Sequence, residues 1–147
     1  MLLYRLFDYL RHRARLRHWD PGHAWGRRGE DLAHRFLQRK GYTIVARNYR
    51  TRSGSGEVDL VGWDGQALAF VEVKTRATED YGSPESAVDA DKQHHILIAA
   101  RDYLRRTDIE WDLARFDIVS VVLTSPPSIR LMKGAFARTE TRRPIAV

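Results

Sequence analysis

The sequence predicts a single α/β domain, and three observations lead to that prediction. Two segments carry apolar residues at helical spacing, and five shorter segments have the composition of strands. The chain has 147 residues, enough to bury about 70% of the surface that its unfolded form would expose, which suits one core. The predicted order is α-β-β-β-α-β-β.

The first helix is predicted over residues 24–40, and it is followed by a strand over residues 42–49. The inner face of this helix is predicted to consist of Leu32, Ala33, Phe36 and Leu37. Gly41 stands where helices commonly end on a residue in the left-handed conformation.

Two further strands are predicted over residues 57–63 and 66–74. The dipeptide Asp64-Gly65 between them is a strong signal for a two-residue hairpin loop. With that loop, Trp63 would pair with Gln66, and this pair fixes the register of the whole hairpin.

The second helix is predicted over residues 92–106, with Asp91 as its N-terminal cap. Its apolar side is predicted to contain Ile96, Ala99, Ala100 and Tyr103. Strands over residues 116–123 and 129–133 follow, separated by a turn at Ser125-Pro126-Pro127. The domain is therefore predicted over residues 21–134, between a basic extension at 1–20 and a basic tail at 135–147.

The N-terminal extension is rich in arginine, and the sequence leaves its role open. Arg5 and Asp8 interrupt its apolar run, and no cleavage site follows, which argues against a signal peptide. It is predicted to be a solvated extension, a nucleic-acid-contacting arm or a membrane-surface helix. In the second case, the arginines that contact phosphates would be Arg11, Arg13, Arg15 and Arg17.

Charge and composition narrow the classes of partner. The formal net charge is +6 and the isoelectric point is about 10.0, which favours polyanions such as nucleic acid. The chain contains no cysteine, which excludes disulfides and thiolate metal sites and fits a cytoplasmic location. No segment approaches the length of a membrane span.

Charged residues crowd one face of the predicted hairpin. The predicted register places Asp59 opposite Phe70 and Glu57 opposite Glu72, so that Asp59 and Glu72 are diagonal neighbours about 7–8 Å apart at the backbone. Lys74 shares their face. Two carboxylates about 5 Å apart repel by roughly 3 kcal/mol at an effective dielectric of 20. Because the available ligand atoms are all oxygens, the sequence predicts a hard divalent cation, Mg²⁺ or Mn²⁺, between the acids.

Other charged residues are predicted near this face. Glu30 is in phase with the inner side of the first helix, where it either meets the hairpin acids or only favours the helix dipole. Glu57 is a neighbour of the metal site, an outer ligand of the metal or a solvated acid at the loop edge. Lys92 either reaches inward or lies along the surface, and together with Gln93 it opens the second helix at a place suited to phosphate.

Asp117, Trp25 and Trp63 lie outside this group of charged residues. Asp117 is expected to be a structural partner of Arg115 or of a loop amide rather than a catalytic group. Trp25 and Trp63 are each compatible with core packing or with exposed stacking on bases.

The motifs carry a resemblance to known nucleases. Asp59, twelve intervening residues and then Glu72-Val73-Lys74 resemble the D-x(n)-E-x-K signature of the PD-(D/E)XK nuclease superfamily, which includes restriction endonucleases and archaeal Holliday-junction resolvases. The chain also resembles the YraN-like family over about residues 23 to 123. The segments that carry this resemblance are, in order, GRRGEDLAHRFLQRKGY, RNYR, GEVDLVGWDG, FVEVKTR, YGSPESAVDADKQ and RFDIVSV. Val58 occupies the position of the signature proline, a position that varies within the superfamily.

The resemblance implies a restriction-endonuclease-like core, with α-β-β-β-α-β order and a mixed central sheet. It implies that Asp59, Glu72 and Glu30 bind the metal, and that Lys74 is the motif lysine, which would orient the attacking water or stabilise the charge on phosphorus. The alternative for Lys74 is a salt bridge to Glu72 or Asp59 at the end of the strand. The reaction implied is metal-dependent phosphodiester hydrolysis in nucleic acid, for which DNA is the expected partner, and a junction-resolving role would favour a homodimer. The alternatives are a nucleic-acid-binding module without catalysis and a protein-interaction domain.

Overall fold

A five-stranded mixed sheet lies at the centre of the computed structural model, which describes residues 21–78 and 88–137. The helices and strands in these ranges are α1 (Pro21–Arg39), β1 (Thr43–Arg50), β2 (Glu57–Asp64), β3 (Ala67–Arg76), α2 (Ala90–Thr107), a short 3-10 helix (Trp111–Leu113), β4 (Ala114–Val122) and β5 (Ser128–Met132). This is the α-β-β-β-α-β-β order that the sequence predicts. The predicted N-terminal extension, residues 1–20, lies outside the described residues.

The strands are arranged in sequence order across the sheet, β1-β2-β3-β4-β5. The strands β1, β2 and β3 form antiparallel pairs, β3 and β4 run parallel, and β5 is antiparallel to β4. A parallel pair needs a long crossover connection, and α2 lies in the segment that joins β3 to β4. The prediction of a mixed sheet is therefore confirmed.

The two helices pack on opposite faces of the sheet. Ala33 and Leu37 of α1 are buried against Leu60, Ala69 and Val71, together with apolar residues of β4. On the other face, α2 packs against a second cluster; its buried residues are Ile96, Ala99, Ala100 and Leu104 of α2 with Val58, Val61, Leu68, Phe70, Val88, Ala114, Phe116 and Ile118. The central strands β2, β3 and β4 are therefore largely buried from both sides.

The ends of the helices follow local rules. Helix α1 spans Pro21–Arg39, against the predicted range of 24–40. Gly41 has a φ of 93°, which confirms the predicted left-handed residue after α1. The cap of α2 is Asp89 rather than Asp91; its side chain accepts a hydrogen bond from Lys92 N at 2.9 Å.

The predicted hairpin register is wrong by two residues. Trp63 pairs with Leu68 instead of Gln66, and Phe70 pairs with Val61 instead of Asp59. The loop between the paired residues Asp64 and Ala67 is Gly65-Gln66, and Gly65 has a φ of 60°, as the first position of a type II′ turn requires. Since a shift of two residues preserves the faces, its main effect is to change which residues lie opposite each other.

The regular alternation of β2 is interrupted at Asp59. Val58 and Val61 both pack on the α2 side, whereas Leu60 packs on the α1 side. Strict alternation would place Val58 and Leu60 on the same face. Asn48, which lies across from Asp59 in β1, has a φ of 49° in the middle of the strand. The backbone around Asp59 is therefore locally twisted.

A polar network lies on the sheet toward the β2–β3 turn. Asp117 is fully buried, and its carboxylate accepts hydrogen bonds from Tyr42 Oη at 2.9 Å, from Arg115 at 2.8 Å and from Gly134 N at 3.0 Å. Arg115 also pairs with Asp64 at 2.8 Å. The structural role predicted for Asp117, with Arg115 and a loop amide as its partners, is confirmed.

Candidate functional site

Two buried carboxylates meet where β2 and β3 separate. The paired residues of this hairpin end at Leu60 and Val71, and Asp59 and Glu72 come next on their strands. Asp59 Oδ2 accepts a hydrogen bond from the backbone N–H of Val73 at 2.8 Å, in place of a regular backbone pair. Asp59 is 9% exposed and Glu72 is 2% exposed. The two acids are thus direct neighbours across the strands, closer than the diagonal arrangement that the sequence predicts.

This proximity changes the protonation of the pair. Burial and the neighbouring Glu72 raise the pKa of Asp59 to about 8, although the bond from Val73 N–H acts in the opposite direction. Within the described residues, Glu72 Oε2 is buried and has no hydrogen-bond donor. Such an oxygen is costly to bury unless it binds a proton or a cation. Without a cation, Asp59 is therefore expected to retain its proton near neutral pH.

Two lysines converge on the same carboxylate. Lys74 Nζ lies 3.5 Å from Glu72 Oε1, and Lys92 Nζ lies 3.4 Å from that oxygen. Burial lowers the pKa of Lys92, but Glu72, Asp59 and Glu57 outweigh burial, and the pKa is raised. Lys92 therefore reaches inward as a charged group and does not simply lie along the surface.

Helix α1 brings a third acid to this end of the sheet. Gly29 packs directly on β3, where a side chain would collide with Thr75. The next residue, Glu30, is half-buried; burial and the charge of Asp59 raise its pKa, while a hydrogen bond from the Asn48 side chain lowers it. The effect of the Asp59 charge on the pKa of Glu30 supports the alternative in which Glu30 faces the hairpin acids. Asn48 is a residue that the sequence reasoning missed. An asparagine in the middle of a strand pattern is the signal that could have identified it, because asparagine tolerates the left-handed conformation.

Other residues predicted for the site lie at its edge or beyond. Glu57 pairs with Arg50 at 3.2 Å, and its charge acts on both Glu30 and Lys92. The side-chain amide of Gln93 donates to Val88 O at 3.1 Å, a contact within the start of α2. The predicted phosphate-contacting arginines of the N-terminal extension, Arg11, Arg13, Arg15 and Arg17, lie outside the described residues.

The residues present fit a divalent cation only in part. In residues 21–78 and 88–137, no three histidine, aspartate or glutamate side chains are grouped closely enough to form a complete metal site. Magnesium, however, is commonly held by one or two carboxylates, with water and substrate phosphate as its remaining ligands. Asp59 and Glu72 supply two carboxylates, and the unpartnered Glu72 Oε2 is an available ligand atom. The pair therefore suits a cation that binds together with a phosphate.

No helix among the described residues is long and apolar enough to cross a lipid bilayer.

Comparison with known proteins identifies relatives along most of the chain. Residues 29–121 match the family described as "Uncharacterised protein family UPF0102". A UPF0102 protein of Solibacter usitatus is 58% identical over 135 residues, which cover 92% of this chain and 98% of the relative. A UPF0102 protein of Koribacter versatilis is 51% identical over 119 residues, which cover 80% of this chain and 82% of the relative. The matched segment contains Glu30, Asp59, Glu72, Lys74 and Lys92.

Proposed function

The chain belongs to the UPF0102 family, and we propose that it is a metal-dependent nuclease that hydrolyses phosphodiester bonds in nucleic acid. The proposal includes a restriction-endonuclease-like core of the PD-(D/E)XK superfamily, with DNA, and branched DNA in particular, as the expected substrate. The observation that carries it is the juxtaposition of Asp59 and Glu72, two buried acids with one unpartnered carboxylate oxygen. Because two ionised carboxylates repel, this arrangement favours binding of a divalent cation.

Asp59 and Glu72 would hold Mg²⁺ or Mn²⁺. Glu30 would act on the ion indirectly, through Asp59 or through an intervening water. The chemistry supplied by such an ion is polarisation of the scissile phosphate and acidification of an attacking water. The Val73 N–H fixes the Asp59 carboxylate at 2.8 Å, so that its position is set by the backbone of the neighbouring strand. A carboxylate that is held in position in this way favours a reaction in which charge develops at one fixed place.

The two lysines have a second role in this proposal. In the absence of substrate, Lys74 and Lys92 both neutralise Glu72. With a cation held at Glu72, both ammonium groups would be available to phosphate oxygens, and Lys74 would stabilise the charge that develops on the phosphorus. Lys92 would hold a neighbouring phosphate from the start of α2. The side chains of Lys74 and Lys92 are 27% and 33% exposed, so they are accessible to a substrate.

Cleavage assays with a matched pair of acid variants test this proposal. The purified protein would be incubated with Mg²⁺ or Mn²⁺ and with branched, flapped, single-stranded and duplex DNA, and with RNA. Glu72→Gln should abolish cleavage, whereas Asp31→Asn, which changes an exposed acid of α1 that pairs with Arg47, should leave it unchanged. Cleavage that persists equally in Glu72→Gln would indicate a contaminating nuclease and contradict the proposal. Absence of cleavage by the wild type on every substrate would also contradict it.

The second candidate is a nucleic-acid-binding module without catalysis. It is favoured by the pairing of Glu72 with two lysines, which already compensates the acid without a metal. In such a module, Lys74→Ala would weaken nucleic-acid binding modestly and in a salt-dependent way, and no cleavage would accompany binding.

A further inference from the structure

Trp25 is a large aromatic side chain exposed in the first half of α1. Three large hydrophobic side chains are exposed among the described residues, and Trp25 has the highest exposure at 50%, against 43% for Val45 and 38% for Leu113. Trp63, in contrast, is packed against the core on the α2 side. The two tryptophans therefore differ: Trp63 stabilises the fold, whereas half of the Trp25 surface is available to a ligand.

The first half of α1 lies near one of the two acids, since the charge of Asp59 acts on Glu30. Trp25 lies one turn before Gly29 on the same side of the helix, a rise of about 6 Å. Gly29 touches Thr75, and Thr75 directly follows Lys74 on β3. Trp25 therefore lies toward the end of β3 on the α1 side of the sheet, whereas Glu72, Lys74 and Lys92 meet on the α2 side.

The charges around Trp25 suit a nucleic-acid strand. Arg27 and Arg28 are exposed in the same part of α1. On the other side of the acids, Lys92 stands at the beginning of α2 with its ammonium group at Glu72. A phosphate backbone that passes the end of the sheet from one face to the other would therefore meet Lys92 on the α2 side, and Arg27, Arg28 and the Trp25 ring on the α1 side. Cationic grooves combined with exposed aromatic rings are typical of proteins that bind single strands.

We propose that Trp25 stacks on an unpaired base adjacent to the phosphate bound at Asp59 and Glu72, so that the substrate class is nucleic acid with a single-stranded stretch at the site. This inference rests on the proposed function for the position of that phosphate. A continuous duplex does not provide a base for this stacking, because the faces of its bases are already covered by their neighbours. Single strands, flaps and the unpaired positions of branched molecules do.

Binding in a chelator, where no cleavage occurs, tests the stacking role. Fluorescence anisotropy would compare wild type, Trp25→Ala and Trp25→Phe on a labelled single strand and on its duplex, with DNA and RNA probes. Val45→Ala, which truncates an exposed apolar residue of β1, is the control. Loss of one base–aromatic stack should weaken single-strand binding by Trp25→Ala roughly 5- to 100-fold. Trp25→Phe should retain most of the affinity, and duplex binding should change less than about twofold.

A second measurement reports on the ring itself. Tryptophan emission should be quenched when the single strand binds, and the Trp25-dependent part of the quenching should be absent in Trp25→Phe. A strand with an abasic position should restore part of the emission and bind wild type and Trp25→Ala with similar affinity. Equal losses on single strand and duplex, or affinities unchanged by Trp25→Ala, would overturn the inference.

The outcomes separate this inference from the proposed function. Trp25-dependent binding of single strands without cleavage in Mg²⁺ or Mn²⁺ would support the stacking role and contradict the nuclease. Cleavage of duplex and single strand that is equally insensitive to Trp25→Ala would support the nuclease and contradict the stacking role.

Discussion

Two buried aspartates of the same sheet have opposite environments. The carboxylate of Asp117 receives hydrogen bonds from Tyr42, Arg115 and Gly134, whose donors lie between 2.8 and 3.0 Å away. The carboxylate of Asp59 has the Val73 N–H on one oxygen and a second buried acid beside it. A buried acid with matched donors stabilises a fold, whereas a buried acid facing another acid is costly without a further ligand. The difference indicates that Asp117 has a structural role and that Asp59 is suited to bind a ligand.

The largest expected effect is on stability, in Asp117→Ala. This change leaves the Tyr42 hydroxyl and the Gly134 N–H without their acceptor and removes one of the two acids paired with Arg115. Breaking a buried charged network of this kind costs about 3–5 kcal/mol of unfolding free energy. Chemical denaturation would measure it, with Asp31→Ala as an exposed control that should cost less than about 1 kcal/mol. A cost below 1 kcal/mol for Asp117→Ala would remove the contrast between the two aspartates.

The next effect is on catalysis, in Lys74→Ala. The substitution removes a cation near the proposed phosphate but neither of the two carboxylates, so the proposed cleavage should fall by about 10²-fold while Mn²⁺ affinity changes little. Lys133→Ala is the matched control, because Lys133 pairs with Asp64 in the polar network on the other part of the sheet. Single-turnover cleavage rates would be compared. Equal rates for wild type and Lys74→Ala would show that the lysine near Asp59 has no more catalytic effect than the lysine near Asp64.

The smallest effect concerns pH. The pKa of Asp59 in the folded protein, about 8, is above the ordinary value near 4 of an unfolded chain. Between these values the folded state holds a proton that the unfolded state releases, so the free energy of unfolding should fall as pH rises from about 4 to about 8. Asp59→Asn removes this proton exchange. The stability of the variant relative to wild type, in a chelator, should therefore increase by at least about 1 kcal/mol across that range.

Thermal unfolding at several pH values checks the difference. Asp117 again serves as the comparison, since Asp117→Asn should lower stability at every pH in the range. Parallel pH profiles for wild type and Asp59→Asn would show that Asp59 is ionised in the folded protein and has no unusual environment.

Much of the fold could be predicted from the sequence, because local signals determine most of it. Periodicity locates both helices and all five strands to within a few residues, and Gly41 marks the end of α1. The hairpin register could not be obtained in this way. Asp64-Gly65 suggested a loop with both residues at its centre, whereas the sheet uses Gly65-Gln66. Both loops satisfy local preferences, and pairing with β1 and β4 together with core packing distinguishes them.

The candidate site was predictable in composition but not in geometry. The sequence identifies Asp59, Glu72 and Lys74 by their spacing, but a regular strand model makes the acids diagonal neighbours. The interruption of β2 at Asp59 and the left-handed Asn48 opposite it depend on contacts between strands, which alternation alone does not contain. The convergence of Lys92 on Glu72 likewise depends on how α2 packs against the sheet.

The central claim is that Asp59 and Glu72 form a divalent-cation site, and titration calorimetry with Mn²⁺ tests it most directly. Wild type, Asp59→Asn, Glu72→Gln and the control Asp117→Asn would be titrated above pH 8, where Asp59 is expected to be ionised. We expect wild type to bind Mn²⁺, the Asp59 and Glu72 variants to lose measurable binding, and folded Asp117→Asn to retain it. Equal Mn²⁺ affinity in wild type, Asp59→Asn and Glu72→Gln, or no binding by wild type, would contradict the claim.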